Sequence, residues 1–404
     1  MTARAAGRPL VAYFAHDARE TTVQKRVAAM EEAGASVVGF TFRRPHAERS
    51  EVPFENVPLG RTVDRNYVAR LPRLAAGAAV AARHGEVLRA ARLVMARNLD
   101  MLAVALAARR IARARAPVAY EVLDVQRVMT GSGPLPASMR AAERSLLRGV
   151  DGLVVSSPDF VTRYFEPVHG WSGRWFLLEN KIAAARLSAA PEAFRRRPAL
   201  PPGPPWRIGW FGVLRCERSL SILGDLAGRL GPAVEIVLRG RLSIEDIAPA
   251  RLARALAGRP NIRFDGPYLS PDDLADLYGA VHFAWAVDCT DAGSNSDWLL
   301  PNRLYEGGLF GAVAIARAGT AVGRTVEGRG LGRALAEPLD RSVAGFLEGL
   351  DAPAYRAMRA AVEAAPRESF VDETDTRDIL AGLGCLSGTP QPVRRPRRLA
   401  EASR

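Results

Sequence analysis

Strand-like apolar runs alternate with helically spaced segments twice along this chain, and one proline-rich stretch separates the two series. Such alternation predicts parallel sheets with helices on their faces, because each strand returns to its sheet through a helical crossover. The first series opens with the run Leu10–Phe14 and a helix over Thr21–Glu32, with Val23, Val27 and Met30 on one face. Gly34 can cap that helix, and Ala35–Phe42 follows as a second strand. Strands are expected again at Leu93–Ala96, Val118–Leu123, Leu153–Ser156 and Trp175–Glu179, with helices at Leu99–Ala114 and Ala137–Arg148. The second series places strands at Arg207–Phe211, Val234–Arg239, Ile262–Phe264, Val281–Val287 and Ala312–Ala316. Its helices are expected at Ser219–Arg229, Ile244–Ala257, Pro271–Tyr278 and Asn302–Leu309. Between the series, RRRPALPPGPPW carries five prolines. Proline fixes φ and removes a backbone donor, so this stretch reads as a semi-rigid linker.

The expectation is an α/β protein of two Rossmann-like, doubly wound domains facing across a cleft. The first spans residues 1–186, the linker 187–205 and the second domain 206–384, with a basic disordered tail over 385–404. The last helices of the second domain can pack back on the first. A length of 404 residues and 48% apolar content suffice for two cores. The longest uncharged apolar runs stop at about a dozen residues, whereas a spanning helix needs roughly 20. Arg4 and Arg8 precede only the short run Pro9–Ala15, which reads as a strand rather than a secretory signal. Cys216, Cys289 and Cys385 lie far apart in sequence with no CxxC, so neither a disulfide framework nor a zinc site is expected, and a reducing cytoplasm fits. No metal site is expected.

The net charge of +13 is unevenly placed. Residues 1–200 carry 31 basic and 18 acidic residues, and residues 201–404 carry 25 of each. That asymmetry suggests a polyanionic or membrane-surface partner for the first half. Only Lys25 and Lys181 are lysines, so 54 of the 56 basic residues are arginine, a composition that GC-rich codons also produce. Arg65, Arg70, Arg73, Arg83, Arg89, Arg92 and Arg97 fall among Leu, Val and Ala. They read either as a basic amphipathic helix resting on anionic lipid or as an arginine-fringed helix covering the sheet.

Ligands of open α/β sheets bind beyond the carboxyl ends of the strands, so motifs there carry the chemistry. Gly212-Val-Leu-Arg215-Cys-Glu-Arg218 follows the first strand of the second half. A glycine turn, two arginines and a helix start make a diphosphate site. GSNSDWLLPNRLYEGG, residues 293–308, follows the strand ending near Val287. Glu306 there can accept hydrogen bonds from the vicinal diol of a ribose, with Asn302 beside it on the same short helix. The Gly307–Gly308 pair allows close approach of backbone or of a ligand. Ser294, Asn295, Ser296 and Asp297 suit a second polyol, although such a loop can equally be a simple turn.

These motifs resemble those of the glycosyltransferase family 4 group. Arg215 and Arg218 match its phosphate loop. NIRFDGPYLSPDDLADLY (261–278) matches its middle strand and short helix, and YEGGLFGAVAIARAG (305–319) its glutamate-bearing helix and following strand. LDVQR, SSPDFV, LLENK, GWFGVLRC and WLLPNRLYEGG further resemble bacterial transferases of succinoglycan and exopolysaccharide biosynthesis, over roughly residues 8–385. The resemblance implies a GT-B fold, a nucleotide-sugar donor, expected to be a UDP-sugar, held by the second domain, and retention of anomeric configuration. It implies a saccharide or polyprenyl-diphosphate-linked acceptor at the first domain, on the cytoplasmic face of the inner membrane. Nucleic acid is not an expected partner. Trp298 stands where the family has its first glutamate, and Gln126 where it often has a histidine.

No cofactor is expected. Arg215 and Arg218 are expected to neutralise the leaving diphosphate without a metal. His16 and Asp17 are the first candidates for acceptor-side chemistry, Asp124 the second, and Gln126 can orient a hydroxyl. Each also reads as a loop-structuring residue. A non-catalytic sugar-nucleotide-binding subunit and a hydrolase or epimerase of the same fold remain alternatives. A nicotinamide dehydrogenase would need a G-x-G-x-x-G turn, which neither YFAHDARE nor WFGVLRCE contains.

Overall fold

The computed structural model describes residues 7–44, 52–62 and 67–387. Its first sheet has seven parallel strands: β1 (Leu10–Ala15), β2 (Ser36–Arg43), β3 (Asn56–Arg61), β4 (Leu93–Arg97), β5 (Val118–Val122), β6 (Gly152–Val155) and β7 (Trp175–Leu177). They lie in the order β3-β2-β1-β4-β5-β6-β7. After the short β8 (Ile182–Ala183) come β9 (Trp206–Phe211), β10 (Val234–Arg239), β11 (Ile262–Phe264), β12 (Phe283–Trp285), β13 (Val313–Arg317) and β14 (Gly332–Leu335). These six form the second sheet, in the order β11-β10-β9-β12-β13-β14. The strand order reverses at β1/β4 in one sheet and at β9/β12 in the other. Those two switch points are where a doubly wound sheet opens a crevice for a ligand.

Burial explains why the central strands read clearly. All six residues of β1 are buried, as expected for a parallel strand covered on both faces. Val11, Tyr13 and Ala15 face the core shared with Val23, Val27 and Met30 of helix Thr21–Glu32. Ala12 and Phe14 face the opposite core, where Phe14 stacks on Phe40 at 4.7 Å. In the second domain Ile208 and Trp210 of β9 enter one core while Phe211 enters the other.

The edges read poorly. β3 and β14 were not expected, because β3 buries only Leu59 and β14 no residue at all, so neither carries an apolar signal. Helix Ala321–Gly328 was also missed; Thr320 caps it by accepting from the Gly323 N–H at 3.1 Å.

Two connections tie the domains together. The proline-rich segment is seated on the second domain rather than hanging between the two. Arg196 donates to the Leu309 carbonyl at 2.6 Å, Arg197 pairs with Asp276, and a His282 ring nitrogen lies 3.0 Å from the Pro201 carbonyl. At the far end, β15 (Val371–Asp372) pairs with β8, and helix Asp375–Gly382 crosses to the first domain. Ile379, Leu380, Leu383 and Cys385 join the core of Val11 and Tyr13. The expected tail therefore begins too early at 385; from 388 onward it lies outside the described residues.

The basic stretch is divided among elements. Helix Tyr67–Arg83 is followed by helix Gly85–Ala90 and then by β4. Arg70 pairs with Asp100 at 2.7 Å, and Arg97 is buried against Glu121 at 2.9 Å. Arg73, Arg83, Arg89 and Arg92 are exposed, and Arg65 and Arg4 lie outside the described residues. No described helix is long and apolar enough to cross a membrane.

Candidate active site

The loops after β1, β4 and β5 face those after β9 and β12 across the interdomain cleft. The two walls are tied directly. The Val125 N–H donates to Asn295 Oδ1 at 2.9 Å, and Arg127 donates to Asp291 Oδ1 and to the Thr290 carbonyl. Further out, Arg324 pairs with Asp159 and Arg329 with Glu179.

On the second-domain wall the loop after β9 begins at Gly212, whose φ is +109°. Its neighbour Gly240 has φ +135°, and a Cβ there would lie 1.7 Å from the Gly212 carbonyl oxygen. Backbone packs on backbone at that point, and only glycine permits it. Beyond this turn Arg215 donates to Asp288 Oδ2 from Nη2 at 3.0 Å and from Nε at 3.3 Å. Asp288 Oδ1 accepts from the Thr290 N–H and from Ser296 Oγ. Burial alone would raise the Asp288 pKa, but Arg215 and these donors outweigh it and draw it down to about 2. Arg303 also lies in the field of Asp288 and Arg215 and donates to the Trp285 carbonyl at 3.1 Å. Burial lowers its pKa, with Arg215 adding to the effect and Asp288 opposing it. Arg303 thus adds a second guanidinium in the field of the Arg215–Asp288 pair at the end of β12. Two such cations suit a diphosphate. Arg303 stands in the quoted motif beside Asn302, but without its spatial partners it carried no signal.

Arg218 does not join Arg215. It pairs with Glu337 at 2.6 Å, and Glu337 also approaches Arg317. Arg317 in turn holds Asp297, whose other oxygen accepts from the Gly293 N–H. The expectation that Ser294, Asn295, Ser296 and Asp297 receive a second polyol is corrected accordingly. Ser294 Oγ donates to the Asp291 carbonyl, Asn295 bridges to Val125, and Ser296 bonds Asp288 while accepting from the Asp291 N–H. These side chains build the loop and join the domains.

Glu306 is 8% exposed and accepts from the Tyr278 hydroxyl at 3.2 Å. With the exposed Asn302 it lines a cleft together with Thr22, Lys25, Arg97, Leu123, Asn180 and Lys181. Tyr268 lies in the field of Glu306, Arg303 and Arg239, on the same side of the domain. At Gly307 the close approach is made by the protein itself. A Cβ there would lie 2.9 Å from Ala284 Cβ, and one on Gly308 would lie 2.1 Å from the Phe370 ring. The glycine pair seats the Glu306 helix on the sheet.

On the first-domain wall Asp17 is fully engaged. Its two oxygens accept from the Arg19 and Arg44 N–H groups at 2.9 and 2.8 Å. It shapes the loop after β1 and has no lone oxygen aimed at the cleft, which corrects its placement among the acceptor-side candidates. His16 is buried, with Nε2 3.7 Å from Asp100 Oδ2. Burial would raise the Asp100 pKa, but His16 and Arg70 hold it below its ordinary value. Asp124 is the carboxylate that faces the second domain. It is solvent-exposed within the cleft and lies in the fields of Arg215, His16, Asp291 and Arg97. Enclosure between the walls raises its pKa, against the pull of Arg215 and His16. Gln126 is half-buried and lines a neighbouring pocket with Asp124, Tyr120 and Glu143.

Two cysteines distant in sequence meet behind the loop after β9. Cys216 Sγ accepts from the Ser219 N–H at 3.3 Å and the Cys289 N–H at 3.2 Å. The hydrogen bond from the Cys289 thiol draws the Cys216 pKa down to about 6, with burial opposing. Among the described residues no cluster of three or more His, Cys, Asp or Glu has metal-ligand geometry.

No family model matches the chain. It is 35% identical over 388 residues to the succinoglycan biosynthesis protein ExoL of Rhizobium meliloti, covering 95% of each chain. Among solved structures, HepE of Anabaena in complex with UDP and glucose superposes with a TM-score of 0.66 at 15% identity, covering 94% of this chain and all of that one. Sucrose-phosphate synthase of Thermosynechococcus elongatus gives 0.65 at 16% identity, covering 92% and 97%.

Proposed function

The chain belongs to the family of the succinoglycan biosynthesis protein ExoL and has the GT-B fold of glycosyltransferases, and on that premise we propose that it transfers a sugar from a nucleotide-sugar donor to a growing surface polysaccharide. The observation that carries this reading is the pairing of Arg215 and Arg303 around Asp288, opposite Asp124 across the cleft. A leaving diphosphate meets the two guanidiniums as its charge develops, in a site already organised for it. Glu306 takes the ribose diol, and the donor is a UDP-sugar, in keeping with UDP bound to HepE. The acceptor is a saccharide, free or carried on a polyprenyl diphosphate. Its hydroxyl is held by Asp124 and Gln126 against the anomeric carbon. As the new C–O bond forms, the bond to the diphosphate breaks. With retention, which the family pattern supports, attack comes from the leaving-group face and the hydroxyl proton passes to the departing phosphate oxygen. Charge neutralisation by Arg215 and Arg303 makes the reaction independent of a metal. The exposed arginines of the first domain favour an anionic membrane surface as the place where a lipid-linked acceptor is met.

Calorimetry with UDP and GDP, followed by transfer assays with UDP-glucose and UDP-galactose in EDTA, tests the reading. Nucleotide binding to the wild type, weakened at least tenfold by Glu306→Ala, and transfer that survives EDTA are expected. Binding of neither nucleotide would overturn the donor site. Release of free sugar as the main product in the presence of acceptor would replace transfer by hydrolysis.

A further inference from the structure

The chain has two lysines among 56 basic residues, and both line the same interdomain cleft as Glu306. Lys181 is accounted for: it pairs with Asp375 at 2.6 Å and approaches Glu179 at 3.7 Å, fastening the C-terminal helix to the segment between the sheets. Lys25 is not. It projects from helix Thr21–Glu32 of the first domain and is half-buried. Among the described residues no oxygen lies within hydrogen-bond distance of its ammonium, whereas the other charged side chains of that wall are paired. Arg26 and Arg97 both bond Glu121. Across the cleft stands Glu306, and Arg186 of helix Ala184–Ala189 adds a second positive charge at the same corner. A half-buried ammonium without a partner is costly unless an incoming group supplies acceptors. A lysine also differs from arginine here. Its charge is a compact point on a flexible stem, which leaves room between the walls, whereas a guanidinium fork would reach for the carboxylate directly.

We propose that Lys25 is a donor-contacting residue contributed by the first domain, its ammonium donating to the ribose hydroxyl oxygens whose protons Glu306 accepts. A vicinal diol offers both functions at once. Each hydroxyl donates to the carboxylate on one wall and accepts from the ammonium on the other. The nucleoside then bridges the two domains. This assignment rests on the reading of Glu306 as the ribose site.

The test compares UDP with 2′,3′-dideoxy-UDP by calorimetry on the wild type, Lys25→Met and Lys25→Arg, with thermal melts confirming that the variants fold. Expected is a loss of about tenfold in UDP affinity for Lys25→Met, the scale of one charge-assisted hydrogen bond. Only partial recovery is expected in Lys25→Arg, and Lys25→Met should bind the dideoxy nucleotide, which has no hydroxyl for the ammonium to reach, as well as the wild type does. Equal UDP affinity in wild type and Lys25→Met would overturn the proposal while leaving the donor site intact. An equal fractional loss for both nucleotides would also overturn it, by moving the contact to the phosphates. If the wild type binds only GDP, the same comparison is made with the guanine pair. If it binds neither, the ribose site and the proposal fall together.

Discussion

Asp124 and Asp17 are both acidic residues of loops that follow strands of the first sheet, yet they have opposite fates. Asp17 spends both oxygens on backbone N–H groups of its own neighbourhood, while Asp124 looks across the cleft at Arg215. The difference is invisible in the sequence, since it depends on which backbone donors the fold leaves nearby. It has a kinetic consequence. Asp124 must be ionised to accept from an acceptor hydroxyl, and enclosure raises its pKa above the ordinary carboxylate value of 3.8. Transfer rate is therefore expected to fall as pH drops through a point above that value. Asp124→Asn should lower kcat by about 10²-fold, the scale of a lost positioning contact, and should abolish the acid limb. A pH–rate profile of both proteins checks this; an unchanged limb in the variant would assign it to another group. Arg215→Ala should cost more in transfer than in folding. It removes one of two cations from a developing diphosphate and leaves Asp288 with its Thr290 and Ser296 donors.

At the scale of elements, the first sheet carries a charged network on its own surface. Glu121 of β5 accepts from Tyr13 of β1 at 2.8 Å, from Arg97 of β4 at 2.9 Å and from Arg26 of the first helix at 2.7 Å. Burial pushes its pKa up, but the two arginines outweigh burial and bring it from 4.5 down to about 2. A carboxylate whose folded pKa is depressed stabilises the fold above its unfolded pKa and loses that contribution as pH falls. With Asp288 shifted the same way, stability should decline between about pH 4.5 and pH 2. Glu121→Gln should flatten part of that decline and cost about 3–5 kcal/mol at neutral pH, because it strands Arg97 as a buried unpaired charge. Chemical denaturation across pH measures both. The Glu306 helix makes a second case. Gly308→Ala places a methyl against the Phe370 ring and should destabilise by about 1–3 kcal/mol through overpacking. The sequence marks this glycine pair as a point of close approach, and the fold shows that the Phe370 ring is what approaches.

The whole molecule is held closed by its crossing segments. The chain passes from the first sheet to the second through β8 and the docked proline stretch, and returns through β15 and helix Asp375–Gly382. Ile379, Leu380 and Leu383 then complete the first-domain core. Each such aliphatic side chain contributes about 1.5–3 kcal/mol on burial. A chain ending before Asp375 should therefore melt several degrees lower, and the loss should appear in the first domain although the deletion is made after the second. Domain-resolved hydrogen exchange reads this; protection lost only in the second domain would contradict it.

The sequence by itself determined the two doubly wound halves, the central strands and the strand-end loops. These follow from local patterning, because buried parallel strands are continuous apolar runs and glycine-rich turns mark their ends. The family pattern was legible over nearly the full length for the same reason. Tertiary structure alone decided the rest. It assembled Arg303 and Arg215 around Asp288, brought Cys216 to Cys289, and turned the Ser294–Asp297 loop into a domain joint. It also laid the proline segment along the second domain and left Lys25 facing Glu306. Each of these depends on a partner far away in the chain. A polar side chain's role is set by which donor or acceptor lies within about 3 Å of it, and neither composition nor spacing encodes that distance.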